Sequence, residues 1–366
     1  MQAHKIAFYI GDFTRSGGTE RACTSIVNSL ASQTSNKVYL IVTNSIEEKP
    51  FFSINSDVTI LYLNSKYSLG KYLTLIYRLN NVIKSNNIEV VVAVEVFSLL
   101  FILPIILIGK LTRKKTKLIV WEHFNFTVDL GKNLRRKFRW LAGRFADAII
   151  VLTKRDVVLW KSNLKINGKI LAINNPSSFA VSKKEYNKES INIVAIGRLT
   201  YQKGFDRLIE IWYEFLEKYS NGKNWKLQII GSGEDKEMLD NLIVKYNLNN
   251  VEMVSNTSSI SDYYENASFL AMTSRFEGLP MTLIEAQSFG LPIIAYDCLT
   301  GPSEVITQKS GFLIEDNNKE EFVEKLQFLI SNDALRSEMS EVAKEEMKRF
   351  SEIEITQQWK ELIETF

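Results

Sequence analysis

Short apolar runs alternate with segments of helical period along the whole chain. The stretches "HKIAFYIG", "VYLIVT", "VTILYL", "EVVVAVEV", "KLIVWEH" and "DAIIVLT" are rich in β-branched residues and are predicted strands. Between the first two, residues 21–33 place Ala22, Ile26, Val27 and Leu30 on one face of a predicted helix. The run Val90–Val94 is apolar throughout, which suits a strand covered on both faces. The pattern breaks at "INNPSSFAVSKKEYNKES", which is polar, contains Pro176 and has no period. It then restarts with "INIVAIG" and a helix carrying Phe205, Leu208, Ile209, Trp212, Phe215 and Leu216 on one side. The strands "WKLQIIGSG", "NVEMVS", "SFLAMTS", "LPIIAYD" and "GFLIED" follow, and Glu- and Lys-rich helices close the chain. The alternation predicts an α/β protein of two doubly wound parallel-sheet domains, residues 1–178 and 179–350, followed by a terminal helix over 351–366.

Composition adds limits. A chain of 366 residues exceeds one typical core, in agreement with two domains. Cys23 and Cys298 form neither a CxxC nor a metal-ligand pattern, and a reducing, cytoplasmic setting is expected. The N-terminus "MQAHKIAFYIGDF" lacks a basic segment followed by a long apolar one, so export is not expected. The most membrane-like stretch, "VFSLLFILPIILIG", is 14 residues long and interrupted by Pro104. A spanning helix needs roughly 18 or more, so a core or interfacial helix is predicted.

Charge changes the picture further. The net charge is only +3, yet residues 109–139 hold ten basic side chains against Glu122 and Asp129, a local +8. Arg113, Lys114, Lys115, Arg135, Arg136, Lys137 and Arg139, with Trp140, are predicted to form a patch for an anionic membrane surface or an acceptor. The plain alternative is a solvated helix face.

In doubly wound sheets ligands bind beyond the carboxyl ends of the strands, so candidate chemistry is sought there. After the first strand comes "GDFTRSGGTER", where Gly17 and Gly18 open a helix whose free N–H groups could receive a phosphate; an ordinary strand–helix turn is the alternative. His123 follows the strand "LIVWEH", as a catalytic or a structural histidine. In the second half "GRLTYQKG" places Arg198 and Lys203 around a tight loop, a pair able to neutralise a diphosphate or simply two solvated cations. "GSGED" is a further Gly-rich turn. The segment "SRFEGLPMTLIEAQSFGLPIIAYD" puts Glu277 in a loop at a strand end and Glu285 inside the next helix. Carboxylates accept paired hydrogen bonds from vicinal diols, which suits a sugar and a ribose. No D-x-D pair stands in a suitable strand-end loop, so catalysis without an obligatory metal is expected.

Together these segments resemble the retaining glycosyltransferases of family 4, which have the GT-B fold of two Rossmann-like domains facing a central cleft. "GRLTYQKG" resembles the family's phosphate-binding loop, and "EGLPMTLIEA" has its E-x7-E spacing. "FGLPIIAYD" and "GPSEVI" continue the pattern in order, and "SGGTER" and "WEH" match its acceptor-side loop and active-site histidine. "VEMVSNTSSI" departs from it, with Ser255 where relatives commonly carry a glycine. The resemblance implies that Arg198 and Lys203 hold the donor diphosphate, that Glu277 and His123 contact the transferred sugar, and that Glu285 contacts the ribose. Gly278 and Leu279 would line the donor site, Gly17 and Gly18 would approach phosphates and acceptor, and the terminal helix would cross back onto the first domain.

By the same resemblance the enzyme would transfer a sugar with retention by front-face attack, without a cofactor. "TGPSEVI" points to UDP-N-acetylhexosamine or UDP-galactose as donor. The acceptor would be a glycan or lipid-linked oligosaccharide of a bacterial surface polysaccharide, met at the inner face of the cytoplasmic membrane. No nucleic-acid partner is expected. A non-catalytic sugar-nucleotide-binding subunit is the alternative; a dinucleotide-dependent oxidoreductase would need a G-x-G-x-x-G turn, which neither half carries.

Overall fold

A computed structural model of the chain describes residues 3–64, 71–111, 116–129, 131, 134–257 and 259–366. It divides into two compact units, Met1–Pro176 with Glu352–Phe366, and Ser177–Ser351.

The strands of the first unit are β1 (Lys5–Ile10), β2 (Lys37–Val42), β3 (Thr59–Tyr62), β4 (Val90–Val94), β5 (Lys117–Trp121), β6 (Ala148–Val151) and β7 (Lys169–Ala172). They form one sheet in the order β3-β2-β1-β4-β5-β6-β7, with every pairing parallel. β7 was not evident in the sequence, because a four-residue, half-buried edge strand has almost no apolar pattern. One face of the sheet, with Tyr9, Ala93 and Val120, packs on α2 (Tyr72–Ser85), α3 (Leu99–Leu111), α4 (Leu134–Phe145) and α5 (Lys154–Asn163). On the other face lie α1 (Gly18–Gln33) and the terminal α13 (Glu352–Ile363). Trp359 of α13 is fully buried, its ring 5.5 Å from Phe8 and 4.8 Å from Trp121, and the Glu352 carboxylate accepts from Ser25 and Ser29 of α1.

The apolar stretch after β4 becomes a short 3-10 turn, Val96–Ser98, and then α3. Pro104 lies inside α3 and cannot donate to the carbonyl of Leu100 four residues earlier. The Tyr72 hydroxyl donates to that carbonyl instead, at 2.9 Å. Ile102 and Ile106 are buried while Leu100, Leu107 and Ile108 are exposed. No helix among the described residues is long and apolar enough to cross a membrane.

The basic patch read from the sequence is not one surface. Arg113, Lys114 and Lys115 lie outside the described residues. On α4, Arg135 and Arg139 are only 4% and 1% exposed and are engaged in ion pairs. They stand four residues apart, hence on one helical face, which also carries the buried Ala142 and Gly143 and points inward. Arg136, Lys137 and Trp140 point outward, Trp140 being 56% exposed.

The second unit holds β8 (Asn192–Ile196), β9 (Lys226–Ile230), β10 (Val251–Val254), β11 (Phe269–Met272), β12 (Ile293–Tyr296) and β13 (Gly311–Ile314). Their order is β10-β9-β8-β11-β12-β13, again parallel throughout. Covering helices are α6 (Phe205–Lys218), α7 (Lys236–Lys245), α8 (Ile260–Glu265), α9 (Met281–Ser288), α10 (Pro302–Val305), α11 (Lys319–Ile330) and α12 (Asp333–Met347). α6 buries Phe205, Leu208, Ile209, Trp212 and Phe215, the face its periodicity marks. In each sheet the chain winds outward from a central strand, β1 or β8, and then crosses back to place β4 or β11 on its other side. A reversal of this kind marks the crevice at the carboxyl ends of both pairs, where doubly wound sheets bind ligands.

Because Trp359 joins α13 to the sheet of the first unit, Trp359→Ala should lower unfolding stability by about 3–5 kcal/mol. Chemical denaturation followed by circular dichroism measures this, and a loss under about 1 kcal/mol would contradict the packing role.

Candidate active site

In the second unit the crevice lies between β8 and β11, and two loops meet there. The first follows β8 and runs from Gly197 through Arg198 to a 3-10 turn, Tyr201–Lys203. Gly204 then adopts a left-handed conformation, φ 63°, to start α6. A Cβ at Gly204 would lie 2.3 Å from the Thr273 carbonyl oxygen, so only glycine fits. The Thr273 hydroxyl donates to the Gly204 carbonyl at 2.8 Å and ties the start of α6 to the end of β11.

The second loop follows β11 and carries Glu277, which is 5% exposed. Lys203 Nζ meets Glu277 Oε1 at 2.6 Å, and Gln202 Nε2 lies 3.5 Å from Glu277 Oε2 and 3.1 Å from the Phe276 carbonyl. The aliphatic stem of Lys203 lies across Gly197. Arg275 fastens the two loops together: its guanidinium grips both oxygens of Asp206 and lies 4.1 Å from the Tyr201 ring, and its backbone N–H donates to the Gln202 carbonyl. Burial works to raise the Asp206 carboxyl, but the bonds and charge of Arg275 outweigh it and hold Asp206 below its ordinary value.

Beneath this loop the Glu277 N–H donates to the Leu299 carbonyl, and Thr300 returns bonds to the carbonyls of Glu277 and Gly278. Leu279 is buried and Gly278 is half-buried. Pro280 leads into α9, whose first turn has no side-chain cap; the Leu283 N–H is taken by the Pro280 carbonyl, which leaves the Met281 and Thr282 N–H groups and the positive dipole end to an anion. Glu285 is buried within α9 and accepts from the Tyr264 hydroxyl at 3.0 Å. Arg198 is exposed and makes no ion pair among the described residues. The "GSG" glycines are packing residues: a Cβ at Gly231 or Gly233 would strike the carbonyl of Gly197 or Leu199.

In the first unit Gly17 precedes α1 with extended backbone and Gly18 is its first residue. The Glu20 carboxylate folds over Gly17, whereas the Cβ side of Gly18 is open. His123, beyond β5, is buried against Trp121 with ring centroids 4.4 Å apart, and its Nε2 has no hydrogen-bond partner among the described residues. Burial pushes its pKa down to about 3, so it is a neutral imidazole.

Two buried arginines set the loop that carries His123. Arg139 donates to the carbonyls of Asn125, Phe126 and Val128 and to the Asp129 carboxylate. Arg135 donates to Glu122 at 2.9 Å and is stacked between the rings of Phe97 and Phe124. Asp156 of α5 accepts from the Phe126 N–H at 2.7 Å; burial pushes its carboxyl up to about 7 against that bond.

The structure thus brings Lys203 and Glu277 into direct contact, with Arg198, Gly278 and Leu279 on the same two loops and Glu285 inside the helix that follows. Gly17, Gly18 and His123 belong to the first unit. Sequence reasoning missed Gln202, Arg275, Asp206 and Tyr264. Arg275 stands two residues before Glu277 and could have been noticed; Tyr264, on another helix, left no local signal.

Residues 178–346 match the family described as Glycosyl transferases group 1. An uncharacterized glycosyltransferase of Haemophilus influenzae is 32% identical over 363 residues, 98% of this chain and 99% of that protein. The amylovoran biosynthesis glycosyltransferase AmsD of Erwinia amylovora is 31% identical over 366 residues, again 98% and 99%. Among solved structures, S. aureus TarM in complex with UDP superposes with a TM-score of 0.79 at 15% identity, covering 98% of this chain and 99% of TarM, so the fold is shared.

The buried neutral His123 has a pH consequence. Its pKa is about 3 when folded, against an ordinary 6.5 when unfolded, so between these values only the unfolded chain takes up the proton. Stability is fully present above about 6.5 and falls as pH drops towards 3, by about 2 kcal/mol at pH 5 from this residue alone. Asp156, raised to about 7, acts the opposite way, losing stability as pH rises from about 4 to 7. The imidazole NMR signals of His123 should therefore not titrate between pH 8 and 5, and His123→Asn should flatten the acid side of the stability profile. Titration near pH 6.5 would contradict the burial.

Proposed function

This chain belongs to the glycosyl transferases of group 1, and we propose that it moves a hexose or N-acetylhexosamine from a UDP-sugar to a glycan or lipid-linked oligosaccharide during bacterial surface polysaccharide synthesis. The observation that carries the reading is the Lys203–Glu277 pair at the crevice between β8 and β11. A buried carboxylate held by a lysine at a strand end presents acceptor oxygens to sugar hydroxyls without a free charge in the protein interior. Arg198 and the uncapped start of α9 supply the positive charge and N–H donors that a diphosphate needs. Kinship with AmsD supports a polysaccharide product, and the UDP bound by TarM, which shares the fold, is in keeping with a UDP-sugar donor.

In the proposed reaction the bond from the anomeric carbon to the diphosphate oxygen breaks as the acceptor hydroxyl oxygen bonds to that carbon on the same face, with retention. Lys203, Arg198 and the α9 amides stabilise charge developing on the departing diphosphate, and that phosphate accepts the proton of the incoming hydroxyl. Glu277 and His123 hold the transferred sugar, and Glu285, braced by Tyr264, holds the ribose. Gly278 and Leu279 line the donor, and Gly17 and Gly18 approach its phosphates. No metal is required in this scheme.

We further propose that the enzyme works in the cytoplasm, at the inner face of the membrane. Arg136, Lys137, Leu134 and Trp140 on the outer side of α4, and Leu107 and Ile108 on α3, mix basic and exposed apolar side chains as an anionic interface favours.

Thermal-shift screening against UDP-, GDP- and ADP-sugars should give stabilisation by a UDP-sugar. Glu277→Gln should lower kcat/KM about a hundredfold or more, and Arg198→Ala should lower kcat by about 10²–10³. Glu285→Gln should act on donor KM, and transfer should persist in excess EDTA. Near-native turnover of Glu277→Gln would remove its role, and metal-reversible loss of activity would refute the metal-free scheme.

Sedimentation with anionic liposomes at low salt, reversed at high salt, tests docking. Each basic residue at such a surface is worth about 1 kcal/mol, so replacing Arg136 and Lys137 with Ser should weaken binding clearly. Indifference to anionic vesicles would refute it.

A further inference from the structure

Glu95 follows the last residue of β4, at the crevice of the first unit, in a conformation that its residue type disfavours. Its φ of 66° and ψ of 149° fall in a region used almost only by glycine. The backbone around it leaves no slack: the Glu95 N–H donates to the Trp121 carbonyl at 2.8 Å, the Glu95 carbonyl accepts from Ser98 N–H at 3.1 Å, and the Ser98 hydroxyl holds the Val94 carbonyl at 2.6 Å. Glycine would adopt this turn without strain, so the carboxylate is what the position gains in return.

That carboxylate lies on the α1 side of the strand ends. Thr19, in the first turn of α1, donates to Glu95 Oε1 at 3.4 Å, and Arg135 Nη2 stands 3.9 Å from Oε2. The side chain keeps 29% of its surface exposed, so it is held in place yet reachable. His123 shares this side of the sheet, since its ring packs on Trp121, which meets Trp359 of α13, the neighbour of α1. Its buried Nε2 has no partner among the described residues, so a ligand could supply its hydrogen bond. Burial, with the Glu122 and Glu20 carboxylates, pushes Glu95 up to about 7 against the pull of Arg135, and a donated hydroxyl would favour its charged form.

β4 stands beside β1 as β11 stands beside β8, and the loop after β11 carries Glu277, paired with a cation. Each unit therefore sets one carboxylate, with a cation at hand, beyond the strand that borders its crevice.

We propose that Glu95 binds the acceptor, taking a hydrogen bond from a hydroxyl of the incoming glycan and so selecting which hydroxyl is presented. This rests on the glycosyl-transfer reading, because it assigns the second substrate of that reaction. Octyl glycosides of hexoses and N-acetylhexosamines, with UDP-sugars as donors, are suitable probes. Glu95→Gln should raise KM for the glycoside about tenfold or more, with the KM for the UDP-sugar changed less than about twofold. Glu95→Gly should show the same loss towards the glycoside while raising Tm by about 2–4 °C, through relief of the backbone. An unchanged glycoside KM in both variants, or no gain in Tm for Glu95→Gly, would overturn the proposal. Failure of the unaltered protein to bind any UDP-sugar in calorimetry would instead refute the glycosyl-transfer reading, and the Tm comparison would still decide whether Glu95 is held against a backbone cost.

Discussion

A parallel strand buried on both faces can carry polar chemistry only where it ends, and this constraint organises both units. Val90–Val94 and Phe269–Met272 are buried along their whole length, so no polar side chain can leave the sheet before residue 95 or 273. The chain crosses over next to β1 in one sheet and next to β8 in the other, which opens a crevice at the carboxyl ends there. Glu95, His123, Arg198, Lys203 and Glu277 all lie just past strand ends.

Placing charged groups at such sites is costly unless they are paired and hydrogen-bonded. The structure meets that requirement in two ways. In the second unit, Lys203 neutralises Glu277 while Arg275 and Asp206 fasten the two loops that carry them. In the first, Arg135 and Arg139 are consumed within the protein, one on Glu122 and the other on loop carbonyls and Asp129. The arginines that looked like a docking surface are therefore what fixes the loop of His123. Of the described residues of that patch, Arg136, Lys137 and Trp140 remain on the outer side of α4 for a partner.

The fold was legible because its signal is repetitive: apolar runs of strand length, helical faces such as that of Phe205–Phe215, and one polar break. The approximate site was legible too, since Glu277, Lys203 and Arg198 sit in loops bounded by glycine or proline, where the chain is not building core. Three things escaped. β7 is too short and too exposed at the sheet edge to show a pattern. The burial of Arg135 and Arg139 follows from their four-residue spacing on α4, but counting charge along the chain ignores which face each residue occupies. Tyr264 and Glu95 matter through long-range contact and through backbone conformation, neither of which composition or periodicity records.

A crystal structure with UDP bound tests the central claim most directly. The account predicts the diphosphate against Arg198, Lys203 and the first amides of α9, with the ribose hydroxyls on the Glu285 carboxylate. A diphosphate seated elsewhere on the second unit, clear of the crevice between β8 and β11, would contradict it.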